Sequence, residues 1–328
     1  MDPSFIHQIF ETRSEQDFTG LALEVFRFQV SKNIVYSKYI ELLGADPGKI
    51  NSLEQIPFLP VEIFKEHKVV TGNKPPRAVF ESSGTTGSAV SRHYVADTNL
   101  YHKSLEKCFN LFYQSPENYC ILALLPSYLE RGNSSLVFMA EHLIRQSNHA
   151  SSGFYLDNYS DLEKTLVKNE KNKTPTLLLG VSFALAEFAD QYPMTLRHTT
   201  IMETGGMKGR GKEMTRDELH SLLKDRFNVA EIHSEYGMTE LLSQAYSSGR
   251  GIFKSPPWMK ILIRDMYDPF NYVGGNSSGG INIIDLANVW SCSFISTQDI
   301  GKLVPGGGFE VLGRFDHSDL RGCNLMIE

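Results

Sequence analysis

The feature that most constrains the fold is a regular alternation of strand-like and helix-like segments between residues 78 and 234. Strands of this kind, interleaved with helices of about three turns, form βαβ units and a mainly parallel sheet. Apolar runs and amphipathic spacing predict strands at 78–81, 120–125, 176–180, 199–203 and 229–234 and helices at 97–112, 136–145, 161–169, 183–191 and 215–227. We therefore expect an α/β fold with parallel sheets flanked by helices.

The two ends of the chain differ from this central part. Apolar positions recur at helical spacing through 14–43, which predicts one or two helices ended by Gly44 and Pro47. Beyond Gly251 short β-like runs at 259–264, 281–286, 293–295 and 309–312 alternate with glycine-rich turns, which indicates a smaller C-terminal β-rich subdomain. The expected organisation is an N-terminal helical segment at 1–75, an α/β core at 76–250 and the β-rich subdomain at 251–328.

Charge and composition argue against several classes of function. A formal net charge of −6 with scattered Lys and Arg residues disfavours nucleic-acid binding. The longest apolar runs, at 120–125 and 177–186, are too short to span a bilayer, and the N-terminus does not resemble a signal peptide. The four cysteines lack metal-ligand spacing, so we expect a reduced, cytoplasmic protein: Cys108, Cys120, Cys292 and Cys323.

The sharpest local motif is a Ser/Thr/Gly-rich loop directly after the strand predicted at 78–81. Glycines let backbone N–H groups turn toward an anion, and hydroxyls add hydrogen bonds, so this composition suits phosphate binding. The loop is neither a Walker A sequence nor a nucleophile elbow. By itself it is more often a polar turn. The candidate phosphate contacts are Ser82, Ser83, Gly84, Thr85, Thr86 and Gly87.

A second motif, Tyr-Gly-Met-Thr-Glu at 236–240, follows the strand predicted at 229–234. Ligands of open α/β folds bind at the carboxyl ends of parallel strands, where this turn places a hydroxyl and a carboxylate. Glu240 is suited to hold Mg²⁺, and Thr239 to donate a hydrogen bond to a phosphate. In isolation the motif also reads as a turn that caps a helix.

A third motif places Asp299 after a predicted strand and Arg314 in a Gly-Arg pair. A carboxylate can accept hydrogen bonds from both hydroxyls of a ribose, and the planar guanidinium offers a fixed fork of donors. Taken alone, these residues are a β-turn and a surface arginine.

In this order, the motifs resemble those of the acyl-adenylate-forming superfamily, which includes acyl-CoA ligases and peptide-synthetase adenylation domains. The resemblance runs from about residue 79 to the end of the chain. It implies ATP and Mg²⁺ as cofactors and a carboxylic acid as substrate. It assigns catalysis to Thr239 and Glu240, metal binding to Glu240, and the ribose to Asp299 and Arg314. It places the nucleotide base beside Gly205, Gly206, Tyr236 and Gly237.

The sequence departs from that superfamily in two places. Arg92 stands near the position where the phosphate loop usually continues to a lysine, either in place of that charge or as a solvated strand residue. The chain also stops at Glu328, just past the Gly-Arg hinge. Relatives continue into a second domain of roughly a hundred residues, a usual domain size, which carries another lysine.

This ending resembles the LuxE-type acyl-protein synthetases of fatty-acid reductase systems. Residues 126–131, 134–136 and 316–325 carry that resemblance. It implies transfer of the acyl group from acyl-AMP to Cys323 and onward to a protein partner, an acyl reductase or transferase. A thiolate suits such transfer, and Arg321 or His317 would lower the pKa of the thiol. The alternative is a small buried cysteine on the last strand.

Two other functions stay open at this point. One is an acyl-CoA ligase of the phenylacetate type, and the other is a non-catalytic protein that binds nucleotide or acyl-adenylate as a scaffold. The resemblance favours a fatty acid without excluding aryl acids, and a homodimer is compatible with it. His233 is either a residue of the acyl pocket or a hydrogen-bonded core histidine.

Overall fold

Two sheets and one hairpin organise the part of the chain that the structure, a computed structural model, describes: residues 3–82, 90–126, 132–156, 158–205 and 214–315. The helices are α1 Glu15–Lys32, α2 Ile34–Leu42, α3 Ile63–Glu66, α4 Thr98–Tyr113, α5 Ser135–Ser147, α6 Tyr159–Asn172, α7 Ser182–Gln191 and α8 Arg216–Phe227. The strands are β1 Leu59–Pro60, β2 Ala78–Glu81, β3 Arg92–Val95, β4 Cys120–Leu124, β5 Gly153–Tyr155, β6 Thr176–Val181, β7 Thr199–Thr204, β8 His233–Tyr236, β9 Ala245–Ser247, β10 Ile252–Phe253, β11 Met259–Arg264, β12 Gly279–Asp285, β13 Phe294–Leu303 and β14 Phe309–Arg314.

The first sheet, which we call the parallel sheet, has the strand order β5-β4-β6-β7-β8-β9. All neighbouring pairs in it are parallel except β8 with β9. Every residue of β4 and β6 is buried, as expected when both faces of a sheet are covered. The predicted α/β fold is confirmed, and the carboxyl ends of β7 and β8 lie side by side.

The second sheet, the antiparallel sheet, has the order β10-β14-β13-β12-β11, and the short β1 adds to β13 in parallel. This sheet is the β-rich part expected after residue 251. Its central strand β13 pairs with β12 and also with β14. The run predicted at 293–295 is therefore only the beginning of a strand that continues to Leu303.

The N-terminal helices begin where the sequence predicts. Ser14 and Asp17 form a capping box at the start of α1, and Asn33 caps α2. Gln29 of α1 donates to the carbonyl of Val289 at 2.9 Å, and Phe26 packs edge-on against Phe294. The helix α1 thus contacts the antiparallel sheet and the turn that precedes β13, and Tyr36 of α2 stacks on the same Phe294 ring. The division at residues 75 and 250 stays a prediction.

Among the described residues, no helix is long and apolar enough to cross a membrane. In the same part of the chain, His, Cys, Asp and Glu side chains do not form a group of three or more that could hold a metal ion.

Candidate functional site

The predicted nucleotide residues meet where the two sheets come together. Tyr236, the last residue of β8, donates its phenolic hydrogen to Oδ2 of Asp299 at 2.7 Å. Arg314, the last residue of β14, donates from Nε to Oδ1 of the same carboxylate at 2.8 Å. One buried carboxylate thereby connects three strands from two sheets. The structure brings together all three side chains that the sequence assigned to the ribose and base.

Asp299 lies inside β13, whereas the sequence placed it after a strand. The strand does not end at Ile295 because its first half pairs with β12 and its second half also pairs with β14. Asp299 stands directly opposite Arg314 in that pairing, and facing residues of antiparallel strands project to the same side. The ion pair follows from this register.

The phenol of Tyr236 is a neutral donor in this site. Burial, followed by the negative charge of Asp299, raises the pKa of Tyr236. The ring also contacts Phe253 and Phe309 edge-on, with centroids 5.8 and 5.7 Å away. Its position is therefore fixed by apolar packing on one side and by the carboxylate on the other.

The carboxyl group of Glu240 is buried close to these residues. Its side chain is only 5% exposed, and burial raises the pKa of the carboxyl. The Ser91 side chain and the charge of Arg314 act in the opposite direction, while Asp299 raises the pKa further. The charges of Asp299 and Arg314 thus both act on the pKa of Glu240. Thr239, the other proposed catalytic residue, is partly exposed beside it.

The turn that carries Thr239 and Glu240 is anchored by side chains that the sequence did not single out. The Thr239 carbonyl contacts Nδ1 of His93 at 2.8 Å, and the Glu240 carbonyl accepts from Nδ2 of Asn288 at 2.7 Å. The carboxylate of Asp285 accepts from the backbone amides of Leu242 and Ser243 and from the Ser243 hydroxyl. Because these partners are distant in sequence, no local pattern indicates them.

The base of the phosphate loop is closed by a pair of serines. The backbone amide of Ser82 donates to the Ser91 carbonyl, and the Ser82 hydroxyl accepts from the Ser91 amide, both at 3.0 Å. The hairpin β2–β3 continues this pairing. The other predicted residues of this loop lie outside the described residues: Ser83, Gly84, Thr85, Thr86 and Gly87.

The end of β7 leads into Gly205, one of the residues predicted to lie beside the nucleotide base. Gly205 has a φ of +71°, which favours glycine, and its carbonyl accepts from the Ser182 hydroxyl at 2.8 Å. Glu203, just before it, lies 3.5 Å from His220 and 3.7 Å from Arg216. Gly237 is exposed at the turn after β8. Gly206 and Cys323 lie outside the described residues.

The sequence left two interpretations open for Arg92 and two for His233, and the structure shows a side-chain partner for each of these residues. Arg92 is about half exposed and pairs with Glu81 across the hairpin at 3.0 Å, so its charge is engaged by a neighbouring strand. Nδ1 of His233 is hydrogen-bonded to the Tyr113 hydroxyl at 3.0 Å, and burial lowers the pKa of His233. That contact favours the hydrogen-bonded core histidine over a pocket residue.

The fold is similar to that of adenylate-forming ligases. A 2-hydroxyisobutyryl-CoA ligase in complex with 2-HIB-AMP and CoA is similar with a TM-score of 0.66 and 13% identity, over 92% of this chain and 70% of that one. ATP-bound MatB from Rhodopseudomonas palustris is similar with a TM-score of 0.56 and 17% identity, over 83% and 51% of the two chains. An ATP-bound RpMatB-BxBclM chimera is similar with a TM-score of 0.57 and 17% identity, over 75% of this chain and 49% of that one.

The chain belongs to the LuxE acyl-protein synthetase family, whose model matches residues 8–328. It spans about half the length of the MatB structure and of the chimera. The comparison with curated proteins finds no match.

Proposed function

We propose that this protein activates a carboxylic acid with ATP and then carries the acyl group as a thioester. In the first step a carboxylate oxygen attacks the α-phosphorus of ATP, the bond to pyrophosphate breaks, and acyl-AMP forms. In the second step the thiolate of Cys323 attacks the acyl carbon, a C–S bond forms, and AMP leaves. The thioester then delivers the acyl group, most suitably a fatty acyl chain, to a partner reductase or transferase.

The observation that carries the first step is the Tyr236–Asp299–Arg314 contact beside the buried Glu240. Within the described part of the chain, each oxygen of Asp299 accepts one hydrogen bond and keeps a lone pair for a ribose hydroxyl. The other nitrogens of Arg314 have no hydrogen-bond partner among the described residues, and the side chain is 44% exposed, so they can donate to ribose or phosphate oxygens. Nucleotide binding at this point explains why a carboxylate, a phenol and a guanidinium are held together.

The residues present fit Mg²⁺ on chemical grounds. Mg²⁺ is commonly held by one or two carboxylates together with substrate phosphates and water, so a cluster of protein ligands is not required. Glu240 is a buried carboxyl whose pKa is raised by burial, and a nearby cation would favour its charged form. Bound there, Mg²⁺ would neutralise charge on the phosphates. The Thr239 hydroxyl and the loop closed by Ser82 would donate to the phosphate oxygens.

The other cysteines support Cys323 as the acyl acceptor. Cys108, Cys120 and Cys292 are buried, and burial raises the pKa of each of these thiols. Since the thiolate is the nucleophile, a buried thiol with a raised pKa is a poor acceptor. A reducing cytoplasm would keep the acceptor thiol available.

The test is the intact mass of the protein after incubation with Mg-ATP and a panel of fatty and aromatic acids. We expect an ATP-dependent gain of one acyl group that disappears in Cys323→Ser and persists in the matched variant Cys120→Ser. A gain that persists in Cys323→Ser would contradict the assignment of the acceptor.

Pyrophosphate release, measured in the same samples, tests the first step separately. Wild-type protein is expected to release pyrophosphate only when the acid is present, and Glu240→Gln to release about a hundredfold less, as is typical for loss of a group that stabilises developing charge. Release that requires CoA would indicate a CoA ligase instead. ATP binding without acid-dependent release would indicate a non-catalytic scaffold.

A further inference from the structure

His93 is a fully buried histidine whose two ring nitrogens are both engaged. It lies on β3, at 0% exposure, with the ring of Phe64 edge-on at 6.0 Å. Nδ1 is 2.8 Å from the Thr239 carbonyl, and Nε2 is 3.0 Å from Oδ1 of Asn288. The ring therefore connects the strand after the phosphate loop to the turn that carries Glu240.

The orientation of Asn288 is fixed by its other contacts. Its Nδ2 donates to the carbonyls of Glu240 at 2.7 Å and Cys292 at 2.9 Å, so its Oδ1 must face His93. Both ring nitrogens of His93 consequently face acceptors. Burial lowers the pKa of His93 to about 4, so at neutral pH the ring carries one proton. The contact with the Thr239 carbonyl is the shorter of the two, which favours the tautomer that carries this proton on Nδ1.

We infer that His93 and Asn288 are positioning residues that hold the consecutive carbonyls of Thr239 and Glu240 and so aim the Glu240 carboxyl. This rests on the proposed function, because it concerns the same site. The Thr239 carbonyl belongs to the peptide plane before the Glu240 Cα and the Glu240 carbonyl to the plane after it, so the two contacts fix both flanking planes. Together these planes set the direction in which the Glu240 side chain leaves the backbone. The hairpin adds a second connection, since Ser91, two residues before His93, pairs with Ser82 at the base of the loop.

A misplaced catalytic carboxyl would reduce turnover more than substrate binding. A group that acts on charge developing in the transition state affects kcat, whereas uniform binding affects KM. Displacement of a reacting group by about 1 Å is enough to lower the rate by about a hundredfold. A merely structural role for His93 would instead change stability and leave the turnover of the folded enzyme unchanged.

Two substitutions of similar polarity separate these roles. In His93→Asn the amide nitrogen occupies the place of Nδ1 and keeps the donor to Thr239, whereas in His93→Gln it occupies the place of Nε2 and keeps only the contact with Asn288. We expect His93→Asn to retain kcat for acid-dependent pyrophosphate release within about threefold. We expect His93→Gln to lose about tenfold in kcat with KM for Mg-ATP changed by less than about threefold. The matched control is His142→Gln. His142 is a buried histidine on α5 that pairs with Glu106, and we expect this substitution to leave kcat unchanged.

Equal kcat in the two His93 variants would overturn the inference. A second measurement is independent of activity: the ¹⁵N shifts of the His93 ring in wild-type protein, assigned from the signal missing in His93→Asn. Protonated Nδ1 supports the inference, and a neutral ring protonated only at Nε2 overturns it. If wild-type protein releases no pyrophosphate with any acid, the proposed function fails, and the ring protonation alone then decides this inference.

Discussion

The hydroxyl of Tyr236 and the carboxylate of Asp299 form a 2.7 Å hydrogen bond between residues 63 positions apart in the chain. Tyr236 ends a strand of the parallel sheet, and Asp299 lies in the middle strand of the antiparallel sheet. The bond therefore joins the two sheets at the point where the nucleotide is proposed to bind. A change at either residue should affect both stability and ATP affinity.

Tyr236→Phe removes the donor and leaves the ring in place. A hydrogen bond to a charged group contributes about 2 kcal/mol, so we expect a loss of that order in the free energy of unfolding. KM for Mg-ATP should rise severalfold because Asp299 is less firmly placed. Chemical denaturation and pyrophosphate release measure the two effects. Tyr113→Phe removes a hydroxyl bonded to His233 and should lower stability without changing KM. An unchanged KM in Tyr236→Phe would contradict this role.

Arg314→Lys keeps the positive charge and removes the planar fork beside Asp299. We expect KM for Mg-ATP to rise by about tenfold, which corresponds to about 1.4 kcal/mol of binding free energy. The control is Lys302→Gln, since Lys302 pairs with Glu310 at 3.1 Å on the same two strands without contacting Asp299. Its KM should not change. An equal rise in KM for both substitutions would contradict a specific role for the Arg314 guanidinium and would indicate that KM depends only on the total charge of this sheet.

Gly237→Ala tests the close approach of the turn to Glu235. A Cβ at residue 237 would overlap Oε1 of Glu235, whose carboxylate is buried and bonded to Thr204. We expect a loss of about 2 kcal/mol of stability, typical of overpacking, and a much smaller loss when Glu235 is already Ala. Gly274→Ala has open space around the new methyl group and should stay within about 0.5 kcal/mol of wild type. Simple additivity in the Glu235→Ala background would contradict the overlap.

Glu235→Gln should change how stability depends on pH. Burial, with a smaller contribution from Glu203, raises the pKa of Glu235 from 4.5 to about 7. The folded protein then holds a proton that the unfolded chain loses, so this group favours folding below about pH 4.5 and the benefit declines as the pH rises to 7. Gln has no such dependence. We expect similar stabilities at pH 5 and an advantage for the variant that reaches at most about 3 kcal/mol at pH 8.

Glu231 is the control for that experiment, because its pKa is shifted in the opposite direction and its effect on stability should have the opposite pH dependence. Its pKa is lowered, chiefly by the hydrogen bond from Lys224, so its contribution is present at neutral pH and is lost as the pH falls through its folded value. Glu231→Gln should therefore be destabilised relative to wild type at pH 8 and not at low pH. The same sign in both variants would show that the measurement reports something other than these two carboxyls.

Much of the local structure was predictable because it depends on neighbours in sequence. Asp97, the first residue of the helix predicted at 97–112, accepts hydrogen bonds from the amides of Asn99 and Leu100 and caps α4. The strand at 78–81 agrees with β2, and the run at 259–264 agrees with β11. The short strands β1, β3, β5, β9 and β10 were not predicted, since two to four residues give too little pattern to recognise.

The strand before the Tyr-Gly turn shows the limit of such patterns. Apolar composition placed it at 229–234, whereas β8 spans His233–Tyr236. The pairing of Thr204 with Glu235 across β7 and β8 decides this register, and a polar pair at that position has no apolar signature. Tyr236 consequently ends a strand instead of following one.

What the sequence by itself determined is the order of the longer strands and helices, several helix caps, and the polar residues that carry the proposed site: Tyr236, Glu240, Asp299 and Arg314. Only the tertiary structure decided that Asp299 lies within a strand opposite Arg314, that Arg92 pairs with Glu81, and that His93 holds a carbonyl 146 residues away. The physical reason is that burial periodicity is encoded locally. Partners between sheets depend on strand register and packing, which no single segment contains.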